Sequence, residues 1–224
     1  MRTLARAALS AGVLWLGLMA GAARALPAAA AHADFQAHPA SHDTRAVADW
    51  IVASGDNHGM PFVIIDKKAA RVFVFRPDGR LRGESAALLG MARGDDSVPG
   101  IGERELSTIR PEERTTPAGR FVASLGADLG VKDVLWVDYA DAISLHRVVT
   151  SKPKERRLQR LASPSIDDNR ISYGCINVPA RFYDTVVRPS FLKSSGIVYI
   201  LPEVRSLASV FPAYGLVTRA AGAH

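Results

Sequence analysis

The chain has 224 residues, 48% of them hydrophobic, and a formal charge of +6. Arg2, Arg6 and Arg24 supply three of those six positive charges before any acidic residue occurs, leaving +3 for the rest. That balance, with no Lys/Arg cluster joined to a recognised binding motif or interleaved aromatics, excludes a nucleic-acid footprint. A single cysteine excludes an internal disulfide framework, and the length suits one well-buried domain.

Residues 1–25 read as a secretory signal peptide. Arg2 and Arg6 give a basic start, Ala11 to Ala20 an apolar run, and Ala23-Arg24-Ala25 small residues for cleavage. The run is short for a membrane span. The chain is therefore expected outside the cytoplasm, periplasmic or otherwise extracytoplasmic, without an integral membrane span after leader removal. Residues 26–58 read as a flexible lead-in and a short helix. His32, His38 and His42 lack the tight spacing of a structural metal site. Asp43 is expected to cap a helix through Ala53, with Val47, Trp50 and Ile51 on one face and Gly55 as a stop.

From Phe62 the period changes to that of strands. Phe62 to Asp66, Arg71 to Phe75 and Leu81 to Leu89 are β-branched and aromatic runs separated by turn residues, which predicts a β-meander. Gly90 to Arg114 is rich in glycine, proline and charge and reads as a long surface loop. Val134 to Asp138 and Ala142 to Val148 are the next strands, Pro179 to Val187 reads as a helix, and Gly196 to Leu201 as a buried closing strand. Many short strands with little helix indicate a mainly β domain that closes to protect its edges. The domain is assigned to residues 59–204, with 205–224 as a C-terminal tail.

Cys175 lies between the Ala142 to Val148 strand and the Pro179 to Val187 helix, in Arg170-Ile171-Ser172-Tyr173-Gly174-Cys175-Ile176-Asn177-Val178-Pro179. Gly174 leaves the backbone before the sulfur free to approach a substrate, and the amides of Gly174 and Cys175 are candidate oxyanion donors. A free thiol is mostly protonated at neutral pH, so a nucleophilic cysteine needs a base nearby. Of six histidines only His146 lies inside a predicted strand.

Ser172-Tyr173-Gly174-Cys175-Ile176-Asn177 resembles the cysteine signature of the L,D-transpeptidase (YkuD-type) catalytic domain at five of six positions. Tyr173 stands where that family usually has a second histidine. Thr115-Thr116-Pro117-Ala118-Gly119-Arg120-Phe121 resembles the family's Thr-Pro-x-Gly-x-Phe segment, and Ile143-Ser144-Leu145-His146 its histidine strand. The three occur in the family's order, although the 29-residue separation of His146 and Cys175 is longer than usual.

The resemblance implies an L,D-transpeptidase-like β-sandwich or barrel-like sheet with one or two packed helices and no cofactor. It also implies a role in cell-wall construction and cell shape. Cys175 would attack the L-centred carbonyl of a peptidoglycan stem tetrapeptide, releasing D-alanine, and His146 would generate the thiolate. The thioester would pass to the amine of an acceptor stem, and carbapenems would be covalent inhibitors. Ser172, Tyr173, Asn177 and Arg170 are assigned to substrate binding and turn shaping, and Ser144 to a structural role. The alternatives are a carboxypeptidase or amidase on peptidoglycan stems, and a catalytically silent peptidoglycan-binding module. The insert from Thr150 to Arg170 is expected to form a short helix, either a solvated basic helix or a lid over the groove. In a lid, Leu158 and Leu161 would face the barrel, and Arg156, Arg157 and Arg160 would overhang the groove.

Overall fold

A computed structural model describes residues 32–127 and 133–221; the expected leader over residues 1–25 lies outside them. The predicted meander is present as β1 (Phe62–Asp66), β2 (Arg71–Phe75) and β3 (Leu81–Ala86), all antiparallel. β4 (Leu89–Gly90), β5 (Gly119–Ala127), β6 (Asp133–Asp138), β7 (Ile143–Arg147), β8 (Arg170–Ser172), β9 (Ile176–Val178) and β10 (Gly196–Ile200) follow. Eight strands form one sheet in the order β3-β2-β1-β10-β5-β6-β7-β9, with β1–β10 and β7–β9 parallel. Beyond β3 the chain turns back towards the opposite edge. Leu88 and Asn177 exchange two backbone hydrogen bonds of 2.8 and 2.9 Å, and β4 pairs with β8. The sheet is thus nearly closed, which leaves little edge exposed.

The strands are buried on both faces because alternate side chains enter two cores. Val63, Ile65, Val72, Val74, Leu135, Leu145, Ile176, Val178 and Val198 face the interior. Phe62, Ile64, Phe73, Phe75, Ile197 and Tyr199 face the other way. There α1 (His42–Ser54) covers them with Val47, Trp50 and Ile51. Burial of each such large side chain contributes about 1.5–3 kcal/mol. The helix cap is Ser41, whose Oγ accepts from the Thr44 amide at 3.1 Å; the expected cap, Asp43, lies in the first turn. Gly55 closes the helix at φ +68.

The expected flexible lead-in and the expected C-terminal tail both have structure where they are described. Phe35 is buried against Phe73 and Phe75. His32, His38 and His42 lie beside separate carboxylates, those of Asp49, Glu84 and Asp43. Within the expected tail, α5 (Leu207–Val210) and α6 (Pro212–Ala221) bring Phe211 and Tyr214 onto Trp50. The fold therefore has more packed helix than expected. A few aromatic anchors order segments whose average composition is that of a linker. No helix among the described residues is long and apolar enough to cross a membrane.

A continuous helical segment caps the interior core: α3 (Ala180–Phe182), a π-helical turn over Tyr183–Val187, and α4 (Arg188–Phe191). The insert forms a 3₁₀ turn at Pro153–Glu155 and, after Arg156 at φ +51, α2 (Arg157–Ala162). This left-handed break restarts the helix. Leu161 is buried while Leu158 stays 58% exposed, so only one of the two leucines faces the barrel.

A buried charge network ties the loops together. Lys67 Nζ lies 2.8 Å from Asp95 Oδ1 and donates to the Thr116 carbonyl at 2.9 Å. Asp95 accepts the amides of Glu203, Val204 and Arg205. Burial opposes ionisation of Asp95, but these donors and Lys67 outweigh it and hold the carboxyl well below the ordinary range. Burial likewise pulls the Lys67 amine down, against its hydrogen bond to Asp95.

Candidate active site

Cys175 sits at the turn between β8 and β9, next to the carboxyl half of β7. Parallel pairing of β7 with β9 sets His146 opposite Asn177. Cross-strand partners share a face, and this one points away from the interior core. The same face carries Ser144 and, across the β6 register, Trp136. Trp136 stacks on Tyr139 at 4.8 Å. Tyr139 is exposed, as is Val122 on β5. α1, α5 and α6 cover the other half of this face, leaving a floor of β5, β6, β7 and β9 beside the sulfur.

Ser144 Oγ donates to Cys175 Sγ at 3.6 Å, and the sulfur lies 3.5 Å from the Ala142 carbonyl. Ser144, expected to be structural, therefore touches the sulfur. Burial pushes the Cys175 thiol up, but the hydrogen bond and charge of His146, with help from Ser144, more than offset this. The thiol is held below its ordinary value, the condition for a reactive cysteine. His146 Nδ1 lies 2.7 Å from the Arg147 carbonyl and Nε2 lies 3.3 Å from Asn177 Nδ2. A carbonyl only accepts, so Nδ1 carries the proton and the Nε2 lone pair is the basic one. Arg147 is itself held by Asp133 and Asp184, which steadies that carbonyl.

The turn is built from the resembling motifs. Gly174 has φ +135, and a Cβ there would come within 2.8 Å of the Thr115 carbonyl oxygen. Thr116 Oγ1 donates to the Gly174 carbonyl at 2.7 Å and accepts the Gly90 amide at 2.8 Å. Ser172 Oγ donates to the Cys175 carbonyl at 2.6 Å and accepts the Gly174 amide at 3.1 Å. The Gly174 amide is thus engaged in the turn, which corrects its expected oxyanion role; of the two expected donors, the Cys175 amide remains.

Other assigned residues divide. Tyr173 lies by the sulfur with Arg114 stacked 3.9 Å over its ring. Ser172 and Asn177 are buried and shape the site from beneath. Arg170, expected to bind substrate, is turned away into the core: it pairs with Glu203 at 2.6 Å and donates to the Lys67 carbonyl. The roof over Cys175 also differs from expectation. The loop from Gly90 to Arg114, folded into 3₁₀ turns, places Ile101, Arg104, Leu106 and Ile109 around a cavity of about 70 Å³ shared with Tyr173 and Cys175. Arg104 and Arg110 bind Glu113, whose carboxyl they help pull down to about 2. Of the insert, Arg157 points inward to Asn177 rather than out over the groove. The Arg157 and Ser144 contacts span 20 and 31 residues, and no local motif signals either.

No family model matches the chain, and no curated protein matches it. Among solved structures, it is similar to the L,D-transpeptidase (residues 123–326) from Xylanimonas cellulosilytica, at 16% identity and TM-score 0.38 over 63% of this chain and 60% of that one. It is similar to the catalytic domain of the E. faecium L,D-transpeptidase, at 16% identity and TM-score 0.38 over 63% of this chain and 96% of that one. A third is the K307A mutant of the helical cell shape determining protein Pgp2 from Campylobacter jejuni, at 13% identity and TM-score 0.43 over 82% and 65%. Imipenem is bound in the solved LdtMt1 structure and avibactam in the Ldtfm carbamoyl enzyme, at 13% and 15% identity and TM-scores of 0.36 and 0.35. The chain spans less than two thirds of the Xylanimonas chain. These solved structures to which the chain is similar are L,D-transpeptidases and a cell-shape protein, at low identity.

Proposed function

We propose that the protein is an extracytoplasmic cysteine L,D-transpeptidase acting on peptidoglycan stem peptides. One observation carries the reading. Inside the Ser-Tyr-Gly-Cys-Ile-Asn turn, Cys175 Sγ accepts from Ser144 Oγ at 3.6 Å, and His146 and Ser144 hold the thiol below its ordinary pKa against the upward pull of burial. In the proposed mechanism Nε2 of His146 takes the thiol proton as Sγ attacks the L-centred carbonyl of the donor stem. The carbonyl electron pair moves onto oxygen, held by the Cys175 amide. Collapse of the intermediate breaks the bond to D-alanine, whose amine takes the proton from His146, and leaves a thioester. The acceptor's side-chain amine then attacks the thioester and gives its proton to His146. The new amide forms as the thiolate leaves. Stem peptides are the partners of this chemistry, and a carbapenem ring is opened by the same thiolate.

Incubation of the full chain with stem-tetrapeptide muropeptides, followed by mass analysis, tests the reading. Cross-linked dimers with loss of D-alanine are expected. Trimmed monomers alone would replace it with a carboxypeptidase, and unchanged substrate with a binding module. Cys175→Ala is expected to give neither product nor carbapenem adduct.

A further inference from the structure

The insert between β7 and β8 sends one side chain into the site. Arg157, on the first turn of α2, is 12% exposed and donates through Nη1 to Asn177 Oδ1 at 2.6 Å, while its Nε binds Glu155 at 2.5 Å. Asn177 is itself buried, and its Nδ2 lies 3.3 Å from His146 Nε2 and 3.4 Å from the Cys175 carbonyl oxygen.

We propose that Arg157 is a positioning residue for the Cys175–His146 pair, acting through the side-chain amide of Asn177. A guanidinium has only donors, so the amide must turn its oxygen to Arg157 and its NH₂ to the imidazole and the Cys175 carbonyl. The opposite rotamer would set Oδ1 against the Cys175 carbonyl and against the Nε2 lone pair, two acceptor–acceptor contacts. With Arg157 in place the Asn177 NH₂ donates to Nε2, which fixes the ring's orientation and its Nδ1-protonated tautomer; the thiol proton reaches Nε2 as that contact gives way. The same NH₂ bridges the strand of the base to the turn of the nucleophile. The insert is then part of the site's construction, although the sequence reading placed it outside, as a lid or a solvated helix.

This inference rests on the reading of Cys175 and His146 as a nucleophile–base pair, but its test needs no peptidoglycan. The rate of Cys175 carboxamidomethylation by iodoacetamide is followed at pH 7 by intact mass on the folded full chain. Arg157→Met should slow labelling about tenfold, the scale of one hydrogen bond's net contribution. Arg157→Lys, which keeps a donor for Oδ1, should recover most of the rate. A role confined to stability would lower the melting temperature without this recovery. In an Asn177→Ala background, Arg157→Met should add no further slowing, since the relay is already gone. Labelling of Arg157→Met at the wild-type rate, or an equal loss in both backgrounds, overturns the proposal. If Arg157→Met does not fold, Asn177→Ala alone must reproduce the slowing, and a wild-type rate there overturns it equally. A wild-type chain that labels fast yet leaves muropeptides unchanged would end the transpeptidase reading and leave this one standing.

Discussion

At the scale of single residues, the thiol is governed by a contest between burial, which favours the neutral form, and donors, which favour the thiolate. Ser144 is the donor that can be removed without touching His146. A hydrogen bond to the charged form lowers a pKa, so its loss raises it. Ser144→Ala should therefore move the acid limb of Cys175 alkylation to higher pH while leaving the alkaline plateau rate unchanged. A limb that does not move would assign the lowering to His146 alone. Gly174 is under a different constraint, since its φ of +135 is disfavoured for any side chain and the Thr115 carbonyl stands 2.8 Å from a Cβ. Gly174→Ala should cost about 1–3 kcal/mol in thermal or urea unfolding, and alkylation should slow because the turn that aims the sulfur is displaced. This turn was legible in the sequence because its residues are neighbours: Ser172 Oγ accepts the Gly174 amide two positions on and donates to the Cys175 carbonyl three positions on. Arg170 was misread for the same closeness. It adjoins the motif, but its partner Glu203 is 33 residues away and draws the side chain to the other side.

At the scale of elements, the roof loop is fixed by what it is tied to rather than by its own composition. Asp95 joins it to Lys67 at the end of β1 and to three amides just past β10. Asp95→Asn would leave the Lys67 ammonium buried without its nearest carboxylate, a loss of about 3–5 kcal/mol expected for one half of a buried pair, measurable as a lowered urea midpoint. The pH dependence follows from the depressed carboxyl. The folded value lies below the unfolded one, so the stabilisation is present above pH 4 and is lost as pH falls towards the folded value. Wild type should lose its advantage over the variant below about pH 4; an advantage constant from pH 7 to pH 2 would contradict this. β5 was not legible as a strand. Its exposed Val122, its partly covered Ser124, and its Gly119 and Gly126 give no clean alternation, and its pairing with β10 and β6 comes from chain far away in sequence. The strands with two buried faces, β1, β2 and β10, were legible because they are continuous apolar runs.

At the scale of the whole molecule, one sheet face serves two purposes. Over β1, β2 and β10 it is sealed by α1, α5 and α6 around Trp50, Tyr199 and Phe211. Over β5, β6, β7 and β9 it is left for chemistry. Residues past 205 read as a C-terminal tail because helices of 4 and 10 residues give too few turns to mark which face will seal the sheet. The division predicts that stability and reactivity can be separated by mutation. Phe211 is 2% exposed and packs on Trp50 and Tyr199, so Phe211→Ala should cost about 3–5 kcal/mol, the range for truncating a buried aromatic. The interior core behind Leu145 and Ile176 does not include Phe211, and it is this core that backs the β7–β9 pair. At a temperature where both chains remain folded, Cys175 in Phe211→Ala should be alkylated at the wild-type rate, while the thermal midpoint falls by several degrees. A variant whose labelling rate and midpoint fall together would show that the helical cover also shapes the reactive half, and the two halves would then have to be treated as one cooperative unit.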